Sequence, residues 1–202
     1  MDHKIHLSTF SQIEDSTYER FQLMRDRFFE PVCSFFTKAG IKPNHLTFLN
    51  LLMVIPFIYF LSGSPIVSFF VLLLSVILDS LDGCLARYQK INSEKGALLD
   101  IGVDHFILFS VVLAFIFTKT IDGFWGAAYG LNYMLMIGLV MAMRSMKLHV
   151  FPIVRSKYYL YGLWALFIFT GLSYLDLFLV FFSIYMFLTN LFLFYKLRCS
   201  LS

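Results

Sequence analysis

The chain has 202 residues, of which 59% are hydrophobic and 14% are charged, and its mean hydropathy is +0.76. Soluble domains are about half apolar and about a quarter charged, so this composition excludes a soluble enzyme. The formal net charge of +3 is too small for a protein that binds nucleic acid or another polyanion through bulk charge. The sequence is that of an integral membrane protein.

The first 42 residues form a charged N-terminal segment. Residues 2–20 are mostly polar and have no short apolar core followed by a small-residue cleavage site, so we expect no signal peptide and a cytoplasmic start. Further on, apolar residues recur at helical intervals: Phe21, Met24, Phe28 and Val32. They predict an amphipathic helix that either lies in the cytoplasmic membrane interface or packs on the protein's own cytoplasmic face.

Six apolar stretches follow, each with the length of a membrane span, about 20 residues. We place them at residues 45–62, 65–87, 98–118, 124–143, 158–173 and 175–195. The links are short, so residues 43–198 are expected to form one domain behind the interfacial segment 1–42. The sequence thus predicts an all-α integral membrane protein with six transmembrane helices preceded by an amphipathic interfacial helix.

The positive charges set the expected orientation. If the N-terminus is cytoplasmic, every Lys and Arg except Lys119 falls in a cytoplasmic segment, as the positive-inside rule requires. We therefore expect both termini on the cytoplasmic side of a cytoplasmic (inner) membrane. The three cysteines are too few and too scattered for a disulfide framework or a CxxC metal site.

Four acidic residues lie inside the apolar helical pattern: Asp79, Asp82, Asp100 and Asp104. Ionisable groups at membrane depth cost about 3 kcal/mol each on insertion scales and usually line a functional cavity. The first two are three residues apart on one predicted span and the last two are four apart on the next, so each pair shares a helix face. Both pairs lie about 20 Å from the outer boundary. Two adjacent antiparallel helices therefore bring them together near the cytoplasmic side.

Four carboxylates in a partly dry site repel one another, so either most are protonated or a cation sits among them. Oxygen ligands without cysteine indicate Mg²⁺, Mn²⁺ or Ca²⁺, as one ion or as a close pair that clamps a phosphoryl group. Arg87, one step beyond the first pair, adds a planar donor for phosphate. Gly83, Ala86 and Gly96 leave space for a ligand or for close helix contact.

The spacing of the four aspartates is also compatible with three different roles. One is a set of structural ion pairs, Asp79 with Arg87 and Asp104 with His105. Another is a proton or cation transporter, which also uses intramembrane Asp, although the sequence has no inverted repeat and no pair of broken spans. A third is a non-catalytic lipid-binding or scaffolding membrane protein whose site binds metal without turnover.

The residues around the four aspartates form one continuous motif. Residues 79–87 read DSLDGCLAR and residues 96–104 read GALLDIGVD, which fills every fixed position of D-x2-D-G-x2-A-R-x8-G-x3-D-x3-D. This motif resembles the signature of the CDP-alcohol phosphotransferase (CDP-alcohol phosphatidyltransferase) family, and it bridges the second and third spans as in that family. Residues 43–47, PNHLT, also resemble the start of that family's first span.

The resemblance implies an enzyme of phospholipid biosynthesis that transfers a substituted phosphate group from a CDP-linked lipid to an alcohol and releases CMP. It implies that a centre of Mg²⁺ or Mn²⁺, with two ions, is held by Asp79, Asp82, Asp100 and Asp104, and that the acceptor's proton goes to Asp104. It implies contacts of the CDP donor with Asn44, Thr47, Gly83, Ala86, Arg87 and Ser93. It also leads us to expect a homodimer.

The donor and acceptor classes are open in the sequence. The short chain and small loops favour CDP-diacylglycerol over the alternative, a CDP-choline or CDP-ethanolamine donor with a lipid acceptor. Four basic residues crowd the link between the fourth and fifth predicted spans: Arg144, Lys147, Arg155 and Lys157. They either bind a phosphorylated acceptor, such as glycerol-3-phosphate or an inositol phosphate, or only set the topology.

Overall fold

The computed structural model describes residues 12–91, 93–146, 148 and 156–201, with the side chains at 12–19, 21, 94, 144 and 201 outside the description. Within those residues the chain forms eight α-helices and no strand. The helices are α1 Gln12–Lys38, α2 Pro43–Leu52, α3 Val54–Leu61, α4 Pro65–Tyr88, α5 Glu94–Phe117, α6 Gly123–Ser145, α7 Ser156–Thr170 and α8 Leu175–Leu201.

The first predicted span is a helix interrupted at Met53, between α2 and α3. Pro56 lies one turn later and has no N–H to donate to the carbonyl of Leu52, so the regular hydrogen-bond ladder is broken there. The Met53 N–H still bonds to the Leu49 and Asn50 carbonyls, and the Phe57 N–H bonds to the Met53 carbonyl. The two helices therefore continue as one span, Pro43–Leu61.

In the part of the chain that the structure describes, five helical segments are long and apolar enough to cross a membrane: Pro43–Leu61, Pro65–Tyr88, Lys95–Phe117, Gly123–Met143 and Leu175–Ser200. They confirm the all-α membrane class. The fifth predicted span, residues 158–173, is α7, which has only 15 residues and a length of about 22 Å against a hydrocarbon core of about 30 Å. Gly171, with φ of +74°, follows its last turn. A sixth crossing therefore stays a prediction.

The main core joins the membrane helices through large aromatic side chains. Trp164 of α7 is 1% exposed, and its ring centroid lies 5.0 Å from that of Phe115 and 5.7 Å from that of Phe57. These contacts connect α7 to α5 and α3 and so fix where α7 enters the molecule. Burial of aromatic rings of this size contributes several kcal/mol each, about 3–5 kcal/mol by truncation.

A second apolar cluster connects α1 to α2 and α4. Its buried members are Cys33, Leu46, Leu78, Leu81, Cys84 and Leu85, and Phe29 and Phe36 of α1 pack against it. The opposite face of α1 is exposed, with Met24 64% and Phe28 75% accessible. This exposed apolar face is what a helix in the membrane interface requires. The side chain of Phe21, also assigned to that face, lies outside the described residues.

Candidate functional site

The four aspartates of the motif lie on two neighbouring helices, Asp79 and Asp82 on α4 and Asp100 and Asp104 on α5. The side chain of Asp82 interacts electrostatically with Asp79 and Asp104, and that of Asp100 interacts with the other three. The structure therefore brings the four carboxylates into one region, as the helical spacing predicts. Each helix contributes one face of this region.

Asp82 is the most buried of the four, at 3% exposure. One of its oxygens, Oδ2, accepts a hydrogen bond of 2.8 Å from the hydroxyl of Thr47, which is itself 4% exposed. Its other oxygen, Oδ1, is buried without a hydrogen-bond partner. A buried carboxylate oxygen without a partner is costly unless something positive satisfies it. Asp82 is thus oriented from α2 and retains one oxygen for a ligand.

Lys157, near the start of α7, supplies a positive charge among the carboxylates. Its ammonium group donates a hydrogen bond to Oδ1 of Asp104 and lies 3.9 Å from Oδ2 of Asp79. Its side chain is only 7% exposed, and its Nζ lies 4.8 Å from the centroid of the Tyr158 ring. The sequence pattern groups Lys157 with the surface cations of a link. The residue is instead buried because α7 begins at Ser156, which brings Lys157 against α4 and α5.

The donor chemistry of the four aspartates fits a hard divalent cation, since all the side-chain ligands are oxygens and Asp82 Oδ1 has no partner. Among the residues that the structure describes, however, no group of three acidic, histidine or cysteine side chains is arranged to hold a metal ion. The ammonium group of Lys157 lies between Asp104 and Asp79, a neighbour that the expected di-metal arrangement does not include. A metal ion bound to these two side chains has to share them with Lys157 or displace it.

At the C-terminal end of α4, Arg87 is engaged by a residue of α1. Its Nε and Nη2 donate hydrogen bonds of 2.7 and 2.6 Å to the two oxygens of Asp26, and the Cys84 thiol donates one of 2.7 Å to Asp26 Oδ1. Burial alone raises the pKa of Asp26, but the hydrogen bonds from Arg87 and Cys84 and the charges of Arg87 and Arg25 outweigh it and keep the pKa below its ordinary value. The structure thus shows Arg87 in a two-point ion pair with Asp26.

The other residues assigned to the CDP donor occupy different environments. Gly83 and Ala86 are half-buried on α4, and Asn44 is exposed near the start of α2. The Ser93 hydroxyl accepts a hydrogen bond of 3.0 Å from the Gly96 N–H, so it caps the N-terminus of α5. Thr47 is buried against Asp82. Their contacts with a donor stay a prediction.

His105 follows Asp104 on α5 and is oriented by its neighbours. Its Nδ1 donates a hydrogen bond to the Ile101 carbonyl, and its ring centroid lies 5.4 Å from that of Tyr133. The Asp104 side chain is paired with Lys157. Asp104 therefore pairs with Lys157, 53 positions later in the chain, and not with His105 as the structural ion-pair alternative expects.

Asp26 has no site role in the sequence pattern, and Lys157 appears there only as one of four basic residues that either bind an acceptor phosphate or set the topology. Asp26 shares a helical stripe with Phe29, Cys33 and Phe36, and that second, buried face of α1 is the signal that could have identified it. For Lys157 the sequence offers only its basic character. Of the other three basic residues of that link, Arg144 is described only as part of α6, and Lys147 and Arg155 lie outside the described residues.

Comparison with known proteins adds an independent finding. The family model of CDP-alcohol phosphatidyltransferase matches residues 41–195. An Aquifex aeolicus (strain VF5) protein with the name "Uncharacterized protein" is 41% identical over 78 residues, which are 38% of this chain and 40% of that relative. The similarity thus spans less than half the length of that curated relative. Since the family model covers most of the chain, including all four aspartates, the chain belongs to the CDP-alcohol phosphatidyltransferase family, which transfers a phosphatidyl group from a CDP-alcohol.

Proposed function

We propose that the chain transfers the phosphatidyl group of a CDP-linked lipid such as CDP-diacylglycerol to the hydroxyl of a small alcohol or alcohol phosphate, with release of CMP. The observation that carries the proposal is the meeting of four motif carboxylates from α4 and α5 in one partly buried region, one of them with an oxygen left unpartnered. Such a set of oxygens fits metal-assisted phosphoryl transfer better than a purely structural role.

The four aspartates are the residues that would hold the Mg²⁺ or Mn²⁺ ions of this site. Bound there, the ions would neutralise the diphosphate and stabilise the charge of the departing phosphate. Thr47 orients Asp82 through its hydroxyl, so the carboxylate presents its free oxygen in a fixed direction. Lys157 neutralises part of the negative charge of the set through Asp104 and Asp79.

The reaction needs a proton acceptor beside the attacking hydroxyl, and we assign that role to Asp104. The acceptor oxygen forms a bond to the phosphorus that carries the lipid, the bond from that phosphorus to the bridging oxygen breaks, and CMP leaves with that oxygen. The hydroxyl proton passes to Asp104. Because the Lys157 ammonium already contacts Asp104, the carboxylate is kept in place for this transfer.

We assign the CDP portion to the cytoplasmic end of α4 and the neighbouring helix starts. Contacts are expected from Asn44, Thr47, Gly83, Ala86, Arg87 and Ser93. The acyl chains of the donor stay in the lipid while its nucleotide is water-soluble, so the site belongs where the two phases meet. This placement agrees with the expected cytoplasmic location of both termini, and a homodimer in the cytoplasmic membrane remains part of the proposal.

The test is an assay of the purified 202-residue chain with CDP-diacylglycerol, Mg²⁺ or Mn²⁺ and a panel of alcohols and alcohol phosphates. CMP release and the mass of the lipid product identify the reaction and the acceptor. Activity that persists in excess chelator would contradict the role of metal. Turnover only with CDP-choline or CDP-ethanolamine and diacylglycerol would move the chain to the other donor class. Ion flux in sealed vesicles without CMP formation would replace the proposal by transport.

A further inference from the structure

Asp26 lies outside the region that the family model matches, residues 41–195, yet it contacts the motif directly. It accepts two hydrogen bonds from Arg87 and one from Cys84. A carboxylate that engages a guanidinium through two nitrogens fixes the plane as well as the position of that group. Arg87 is therefore held in one orientation by a helix that precedes the matched region.

The nitrogen of Arg87 that Asp26 does not engage is Nη1, and it faces Gly83. A Cβ atom added at Gly83 would lie 3.4 Å from Nη1. Gly83 follows Asp82 on α4, so Nη1 is directed along α4 toward the motif. Because Nε and Nη2 donate to Asp26, Nη1 is the guanidinium nitrogen that remains available for a phosphate oxygen.

The ion pair also lines an open pocket between α1 and the end of α4. The pocket has a volume of about 710 Å³, and its lining includes Asp26, Arg27, Glu30, Arg87 and Tyr88. A space of this size is large enough for a nucleotide. Arg87 thus stands between this pocket and the part of α4 that carries the aspartates.

Docking of α1 does not depend on the ion pair alone. Phe29, Cys33 and Phe36 of α1 already pack into the apolar cluster with α4, and burial of such side chains supplies stability without charge. The two-point geometry between Asp26 and Arg87 therefore does more than attach the helix, since it selects the direction of the guanidinium.

We propose that Asp26 is a positioning residue of the donor site, which fixes Arg87 so that Nη1 faces the diphosphate of the CDP donor. The inference rests on the proposed function, because it takes the donor to bind at Arg87. It makes α1 part of the binding site, although the motif lies wholly on α4 and α5.

The test measures the affinity of the purified 202-residue chain for cytidine diphosphate by isothermal titration calorimetry in the presence of Mg²⁺. We expect Asp26→Asn to weaken the affinity about tenfold, because the amide cannot accept both hydrogen bonds. Asp26→Glu should recover part of the affinity, since it restores the charge. Asp176→Asn, a matched loss of an exposed acidic group at the start of α8, should bind as the wild type does. The melting temperature of each variant separates lost affinity from lost folding.

Unchanged affinity in a folded Asp26→Asn variant would overturn the inference, and tighter binding would overturn it by showing that Asp26 competes with the donor for Arg87. A wild type that does not bind cytidine diphosphate would remove both the inference and the donor of the proposed function. If Asp26→Asn does not fold, amide hydrogen exchange of the wild type tests the inference instead. Cytidine diphosphate should slow amide exchange around Asp26, and no change there would overturn the inference.

Discussion

Lys157 of α7 donates a hydrogen bond to Asp104 of α5, and the same ammonium group lies 3.9 Å from Asp79 of α4. One cation thus connects three helices at the place where the motif concentrates negative charge. Carboxylates removed from water need a positive partner, and loss of that partner leaves an uncompensated charge in a medium that solvates it poorly. The stability of this region and its affinity for metal are therefore coupled through Lys157.

The first prediction concerns Lys157→Met, which removes the ammonium and keeps a long side chain. In chelator we expect the free energy of unfolding to fall by about 1–3 kcal/mol, less than for a fully buried pair because Asp104 is partly exposed. Mn²⁺ should then stabilise the variant more than the wild type, since the metal no longer competes with an ammonium group. Melting temperatures with and without Mn²⁺ measure both effects.

The exposed Lys119→Met serves as the control for Lys157→Met, because it removes the same charge from a loop. Equal melting temperatures of Lys157→Met and the wild type in chelator would show that the carboxylates do not depend on the ammonium. Weaker stabilisation by Mn²⁺ in the variant would show that Lys157 assists metal binding.

The second prediction concerns the proposed base. Asp104→Asn should keep the fold and lower CMP release by about 100-fold or more, the usual contribution of a general base. The variant also loses a charged partner of Lys157, so a modest fall in melting temperature is expected beside the loss of turnover. Asp176→Asn, at the exposed start of α8, controls for the loss of one acidic group. Near-normal CMP release by Asp104→Asn would remove the assignment of Asp104 as the base.

The third prediction concerns the hydrogen bond from Thr47 to Asp82. Thr47→Val keeps the shape of the side chain but removes the hydroxyl that donates to Oδ2 of a buried carboxylate. We expect a loss of about 1–2 kcal/mol in the free energy of unfolding without metal. Thr47→Ser keeps the hydroxyl and should cost less. Chemical denaturation in detergent distinguishes the two, and a Val variant as stable as the wild type would contradict this role of Thr47.

Local patterns predicted the helices and the carboxylate cluster because these depend on residues that are close in sequence. The spacing of Asp79, Asp82, Asp100 and Asp104 determines their faces, and short links force neighbouring spans together. Lys157 and Asp26 were beyond such reasoning, since each reaches the site through packing between helices that are far apart in the chain. Hydropathy also does not show where the first turn of α7 begins, so it could not predict the bounds of this helix, Ser156–Thr170.

The fourth prediction concerns the pH dependence of the contact between α1 and α4. The pKa of Asp26 is lowered from its ordinary value of 3.8, so the ion pair with Arg87 contributes its full stability above about pH 4 and loses it as the pH falls through the lowered value. Amide exchange in α1 should therefore be protected equally at pH 5 and pH 7 after correction for intrinsic rates. In Asp26→Asn the loss of protection at low pH should disappear. Detachment of α1 between pH 5 and pH 7 would contradict this assignment.

The buried position of Cys33, 1% exposed among Leu46, Leu78 and Leu85, has a consequence for how this polypeptide can be shortened. A fragment that starts at residue 41, where the family match begins, would retain every aspartate of the motif. It would also uncover the apolar side of α4 against which Phe29, Cys33 and Phe36 now pack. We therefore expect α1 to be part of the folded unit although it precedes the family region, so a shortened protein for expression should keep α1.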